Sequence, residues 1–409
     1  MSDQITRVTS ESWFSRLGNS FAGIGIGFVL VIASIAGLAW NENRAVQTAR
    51  SLTEGAGAVI ALDDQGHARD ANGERIDSTG MLVHASGSVS GQVPSDTELG
   101  GPIVPDNTTR LVRTVEMFQW KENKQSETRK KLGGGTETVT RYTYSQAWSA
   151  KPIESGRFEE PTGHRNPPMP VEGHTFAVDR DLALGERSLT IPARHISGIG
   201  TERSLPISEE QARAIARMLG TALPATSAAG TAYFGYDPSR PRIGDFRISY
   251  KAATADTASV VAGDGGTAFT PWVSSNGREI FLIRDGIVSA SAMFERAQQS
   301  NATFTWILRL VGIVAMLIGF RTMLGIFGVI GDVIPFVGSI TRFATGLVAL
   351  VLTLILAPLT IGIAWIAVRP LLGGAIIAVG LALAGGLWFV GRKKAAGSEG
   401  PAHAGGAAA

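Results

Sequence analysis

Long unbroken apolar runs and short alternating ones occupy separate stretches of this chain. Residues 21–40 run from Phe21 to Trp40 without a charge, and Asn41-Glu42-Asn43-Arg44 follows at once. About 20 helical residues cover a hydrocarbon layer of roughly 30 Å, so this run predicts a first membrane span. A secretory signal would carry a shorter apolar core of about 7–15 residues and a small-x-small cleavage site. Three further apolar runs come late. Residues 303–320 are apolar apart from Arg309, about one and a half turns from the start, residues 343–368 contain Pro358, and residues 371–390 follow directly. Only Arg369-Pro370 separates the last two, which predicts an antiparallel helical hairpin, and Pro358 predicts a kink in the third span. The connection 321–342 is apolar, broken by glycine, and carries Asp332. It reads as a non-spanning loop, either interfacial or packed against the bundle, with Asp332 capping a short helix or facing water.

The middle of the chain has a different period. Phe246, Ile248 and Tyr250 alternate with Asp245, Arg247, Ser249 and Lys251, the period of a half-buried strand. Leu111 to Trp120 and Thr136 to Trp148 are rich in β-branched and aromatic residues and flank a charged stretch ending in Gly133-Gly134-Gly135. They predict a long hairpin whose tip projects into water. Glu279 to Ile283 is a further short strand. Ser208-Glu209-Glu210-Gln211 has the form of a capping box, followed by Ala212, Ile215, Met218 and Leu219 at helical spacing. Ser289 to Ser300 reads as a helix running into the second span. Pro167 to Pro170 and Gly263 to Gly266 read as loops.

Charge then orients the spans. Arg321, Arg342 and the trio Arg392, Lys393, Lys394 are basic flanks, which the positive-inside tendency puts in the cytoplasm. Four spans then make 1–20 a cytoplasmic tail and 391–409 a disordered cytoplasmic one, with residues 41–302 as an extracytoplasmic domain. The fold class is therefore membrane α-helical with four spans, plus a large extracytoplasmic β-rich α+β domain. Net charge is only +2, which gives no pull toward nucleic acid. With no cysteine, disulfides, thiolate zinc sites and cysteine nucleophiles are excluded.

A set of short motifs now falls in order. Asn41, Glu42 and Arg44 follow the first span, with Glu54-Gly55 behind them. Glu116 and Trp120 lie in the first hairpin strand, Tyr142 and Trp148 in the second. Then come His164 and Asn166, Gly244-Asp245, and Arg369-Pro370 between the last two spans. In this order they resemble the LUMA family (transmembrane protein 43 family), over nearly the whole chain. The resemblance implies four spans and a large lumenal or periplasmic domain. In animals it implies residence in the endoplasmic reticulum and inner nuclear membrane, self-association, and partners such as lamins and emerin in nuclear-envelope organisation. In a bacterial inner membrane only the scaffold role would carry over. The family has no assigned catalytic site. Asn43 stands where the family pattern has glycine, and the tail is rich in glycine and alanine.

Catalytic patterns are missing from the sequence. There is no phosphate-binding loop, no His-Glu-x-x-His and no Gly-x-Ser-x-Gly. His84, His164, His174 and His195 lack the short spacing that favours zinc, so no metal or cofactor is expected. His164 organising its own turn is the best use for a histidine here. Arg309 is the informative charge, because an ionisable group within a span is costly. It either snorkels to headgroups or pairs with a carbonyl or an acid in the bundle. The pairs Gly23 and Gly27, Ala33 and Gly37, and Gly380 and Ala384 have the small-xxx-small spacing of close helix contacts. The reading is a non-enzymatic multipass scaffold that contacts lipid, self-associates and binds other membrane or extracytoplasmic proteins. The alternative is an oligomeric channel or channel modulator built around Arg309. A membrane-tethered hydrolase comes last.

Overall fold

The computed structural model describes residues 4–366 and 370–396. It contains six helices: α1 (Trp13–Ala58), α2 (Ala193–Ile196), α3 (Glu209–Leu219), α4 (Ala290–Gly331), α5 (Pro335–Ile366) and α6 (Pro370–Ala396). The chain divides into two compact units. One is β-rich and takes the residues up to Arg7, Ala49–Gln125 and Thr140–Gln299. The other is helical and takes Val8–Thr48, Ser126–Val139 and the residues from Ser300 on.

Alternation builds the first sheet of the β-rich unit. The strand Phe246–Thr254 buries Phe246, Ile248 and Tyr250 and turns Arg247 and Ser249 outward. It pairs antiparallel with the strand Thr108–Lys130, setting Ile248 opposite Val115 and Phe246 opposite Met117. Thr108–Lys130 and Thr136–Ser149 are the two arms of the expected hairpin, reversing at 131–135. Leu111, Val115, Met117, Phe234 and Tyr250 form a core with Ala212 and Ile215 of α3. Ser208 caps α3 in a complete capping box. Met218, expected on the buried stripe, is 59% exposed, because the apolar face of α3 is satisfied by Ala212 and Ile215.

The second sheet is centred on Thr257–Asp264, which pairs with Leu82–Ser90 so that Val260 faces Ala85. Nearly every residue of Thr257–Asp264 is buried, as in a strand covered on both faces. The expected loop at Gly263 therefore begins later, since the strand holds through Asp264. The Asp264 carboxylate is fully enclosed and receives Arg187 at 2.5 Å and the Ser78 hydroxyl at 2.5 Å. Glu279–Ile280 and Leu282–Asp285 are two short strands where one was expected.

The membrane reading holds in coarser form. Among the described residues three helices, α1, α4 and α5, are long and apolar enough to cross a membrane, and α6 contributes the shorter apolar stretch Gly373–Gly386. Only 22%, 17% and 28% of the apolar windows of α1, α4 and α5 is buried, which leaves wide faces for lipid. Each span lies inside a longer helix. At 1.5 Å per residue, α1 is about 69 Å long. The helix read from Ser289 runs unbroken into the second span as α4. The expected loop 321–342 is not a loop: α4 continues to Gly331 and α5 starts at Pro335, leaving a tight turn at 332–334. Helix α5 passes through Pro358. Residues 391–396, expected in the disordered tail, belong to α6. Arg369 and the rest of the tail, 397–409, lie outside the described residues.

The N-terminal segment joins the large sheet. The sequence sets residues 1–20 and 41–302 on opposite faces of a membrane. Instead Gln4–Glu11 is an edge strand in the same sheet as Thr136–Ser149, and Arg7 reaches Glu159 at 2.7 Å.

Candidate functional site: two buried charge clusters in the helical unit

Helices α1 and α4 approach closely because small residues face each other. A Cβ on Gly27 would meet the Gly319 carbonyl oxygen at 2.5 Å, and one on Gly312 would meet Leu38 Cδ2 at 2.6 Å. As α1 is followed forward, its partners on α4 run backward, so the two are antiparallel. Gly27 thus associates with a helix of its own chain, and a Cβ on Gly23 would meet Thr322 Cγ2 at 3.6 Å in the same seam. Gly380 likewise lies against Pro358, and Ala384 is buried. Of the small-residue pairs read as helix contacts, only Ala33 and Gly37 face outward; a Cβ on Gly37 meets nothing within 4 Å.

This antiparallel seam carries Glu42 onto Arg309. Glu42 is fully buried, although the sequence places it beyond the first span. Its carboxylate accepts a fork from Arg309, Nε and Nη2 both at 2.7 Å, and a third hydrogen bond from Trp365 Nε1 of α5 at 2.6 Å. The Arg309 side chain is 12% exposed and its guanidinium lies over the Trp306 ring at 4.6 Å. Of the two sequence readings, pairing with an acid in the bundle is the one found. One turn further, the Asn41 amide donates to the Thr305 carbonyl at 3.2 Å. Arg44 reaches Asn301 at 3.1 Å and Thr305 at 3.0 Å, and stands over Phe304. Three helices are therefore pinned in register at this end. A buried ion pair is weak evidence of added stability but a strong constraint on register.

The other end has the opposite balance. Asp332, in the α4–α5 turn, is fully buried and neither caps a helix toward water nor faces it. Arg16 approaches at 2.7 Å, Arg342 at 2.7 Å and Lys130 at 3.0 Å. The guanidinium of Arg16 also bonds the Gly134 carbonyl, and Trp13 Nε1 donates to Val329 at 2.8 Å. The hairpin tip expected free in water is therefore held against the turn. Arg342 was legible as a topological flank only, and Lys130 as one charge in a run.

The motif residues of the β-rich unit act as pins. Glu116 accepts from Arg247 at 2.8 Å, and that guanidinium lies 4.4 Å from the Trp148 ring, beside Tyr233. The Tyr233 hydroxyl donates to Asp245 at 2.6 Å; burial and the Asp245 carboxylate push the phenol well up. Gly244, at φ +94, occupies a backbone region open to glycine. Asn166 bonds the Trp120 N–H at 2.7 Å and its carbonyl at 3.0 Å. His164 is buried, stacks on Tyr144 at 3.9 Å, meets Trp120 edge-on, and bonds the Glu160 carbonyl of its own turn at 3.0 Å. Tyr144 is pushed up to about 12 by burial and by its bond to Glu122. Tyr142 is buried under Lys124. Glu54 binds Ser275, and Gly55 leaves room for Ile280 and Phe294. Pro370 opens α6.

Sequence reasoning missed two buried pairs because their partners are distant. Arg113 binds Asp96 and Glu98, each at 2.7 Å, with Tyr250 donating to Asp96 at 2.7 Å. Arg187 binds Asp264. Among the described residues no group of three metal-binding side chains converges.

Compared with known proteins, residues 117–370 match the family model described as Transmembrane protein 43. The chain is 28% identical to transmembrane protein 43 of Mus musculus over 380 residues, covering 89% of this chain and 90% of that protein. For the Homo sapiens protein the identity is 27% over 386 residues, covering 92% and 91%. For the Drosophila melanogaster homolog it is 25% over 370 residues, covering 87% and 91%. No solved structure matches.

Proposed function

From a chain that belongs to the transmembrane protein 43 family, we propose a multipass membrane scaffold that self-associates and binds other proteins through its β-rich unit. The observation that carries this reading is where the reactive side chains go. Glu42, Asp96, Asp264 and Asp332 each take two or more donors from their own chain, so their acceptor capacity is spent on internal pins. Catalysis needs groups aimed at an open site; binding needs surface, and the apolar helix faces and outer strands supply it. The compartment follows from the source: an inner membrane in a bacterium, the endoplasmic reticulum and inner nuclear membrane in a eukaryote. A pore built around Arg309 loses its support, because that guanidinium is committed to Glu42.

Native mass spectrometry of the full chain in nanodiscs tests the proposal. A defined homo-oligomer, or a stoichiometric protein partner retained from the membrane, supports it. A lone monomer without partners across the accessible concentration range would sink it.

A further inference from the structure

At the Asp332 end of the helical unit, positive charge outruns negative. Arg16, Lys130 and Arg342 share one carboxylate, a surplus of two positive charges within ion-pair distance. Asp332 is enclosed and the Arg16 side chain is only 14% exposed, so water screens the surplus poorly. Beside Arg16, α1 and α4 part around a cavity of about 350 Å3. Asn19 and Ser20 line it with Arg16, and Gly23 and Gly325 are among the small residues of its wall. Glu11 also lines the cavity, its carboxylate held by Asn19 at 2.7 Å and Ser15 at 3.1 Å. Of the cavity's own lining only Arg16 and Glu11 are charged, and the surplus of one positive charge comes from Lys130 and Arg342, which meet Asp332 beside it.

The position of the cavity matters as much as its charge. It lies where α1 changes from polar to apolar: Arg16, Asn19 and Ser20 come just before Phe21, which is 61% exposed, and the exposed Ile26 and Phe28 follow. A ligand with an anionic head and apolar chains would place its head against Arg16 and lay its chains along that outer face. Basic pockets between membrane helices bind phosphate-bearing headgroups by this chemistry.

We propose that this cavity is a binding site for the phosphate headgroup of an anionic membrane lipid. The proposal rests on membrane embedding and not on the scaffold role. Free inorganic phosphate offers the same head without the chains, and the test separates the two.

The full chain is reconstituted in nanodiscs of phosphatidylcholine with a minor fraction of phosphatidylglycerol, then stripped gently, and the retained lipid is read by native mass spectrometry. Phosphatidylglycerol should be retained several-fold above its bulk fraction. Gly325→Leu keeps every charge and fills the cavity, and a Cβ there meets nothing within 4 Å, so the variant should fold. It should return retention to the bulk ratio, as should Arg16→Gln, with helix content by circular dichroism unchanged in Gly325→Leu. Retention at the bulk ratio in the wild type, or undiminished enrichment in Gly325→Leu, overturns the site. Stabilisation by inorganic phosphate without lipid enrichment overturns the headgroup assignment.

Discussion

Replacing Glu42 with alanine strips a buried arginine of its counter-charge. Three hydrogen bonds are lost, two from Arg309 and one from Trp365. Breaking one side of a buried pair costs about 3–5 kcal/mol, because the other charge is left uncompensated. Insertion scales price an arginine at mid-span at roughly 2.5–3.5 kcal/mol, which agrees. At 1.4 kcal/mol per tenfold, a 4 kcal/mol loss is about 10³ in the folding equilibrium. The double variant Glu42→Leu/Arg309→Met behaves differently. It removes both charges, gains apolar contact, and leaves only the Trp365 N–H unpaired, at about 1–3 kcal/mol. Its stability should fall close to the wild type, so the cycle closed by the single variants Glu42→Leu and Arg309→Met should show strong coupling. The assay is unfolding of the full chain in mixed micelles by added dodecyl sulfate, followed by helix circular dichroism. A loss below about 1 kcal/mol in Glu42→Ala, or a cycle additive to within about 0.5 kcal/mol, would refute the pairing as the register-setting contact.

Gly27→Leu should destabilise the folded monomer by overpacking the α1–α4 seam, by about 1–3 kcal/mol in the same assay; an effect confined to oligomer size would return Gly27 to an intermolecular contact. In the β-rich unit, Asp96 and Asp264 both sit below the ordinary value of 3.8: burial works to raise each, and Tyr250, Leu99 and Arg113, or Arg187, Ser78 and Gly266, outweigh it. Depressed carboxylates contribute stability that is present above 3.8 and lost as pH falls through their folded values, so the thermal midpoint should drop steeply below about pH 4 and less steeply in Asp96→Asn. Equal slopes would refute it. Single cysteines at Thr6 and Ser239, both exposed and in the β-rich unit, should react alike with an impermeant maleimide in sealed vesicles; opposite reactivity would return the N-terminal strand to the far side.

Local rules read some elements well and long-range ones poorly. The Phe246–Tyr250 alternation, the Ser208 capping box and the hairpin arms each follow from neighbours a few residues apart, and each appears in the fold. Arg309 was legible as an anomaly, since a charge amid apolar residues demands an explanation. Its partner was not, because Glu42 stands among polar residues and nothing in a sequence says which of two distant charges meet. Asp332 misled for a related reason. Glycine at 325, 328 and 331 argues locally for a broken loop, yet both helices continue to the turn with Phe327, Ile330, Phe336 and Ile340 half or more exposed. The N-terminal strand was hidden by its composition: Gln4–Glu11 is mostly polar and exposed, as an edge strand needs to be.

The distance along the chain between Glu42 and Arg309, 267 residues, also has a meaning in time. At a synthesis rate of about 5–20 residues per second, Arg309 is made roughly 13–50 s after Glu42. The strand Thr257–Asp264, which completes the second sheet against Leu82–Ser90, is delayed about two-thirds as long. For that interval α1 exists with an unneutralised carboxylate just beyond its apolar run and no helix to bind it. Neither unit can close until the chain has reached α4. Nascent α1 therefore has to be sheltered, by the insertion machinery or at the water boundary, and variants that stall translation between the two residues should be degraded from the membrane before the pair can form.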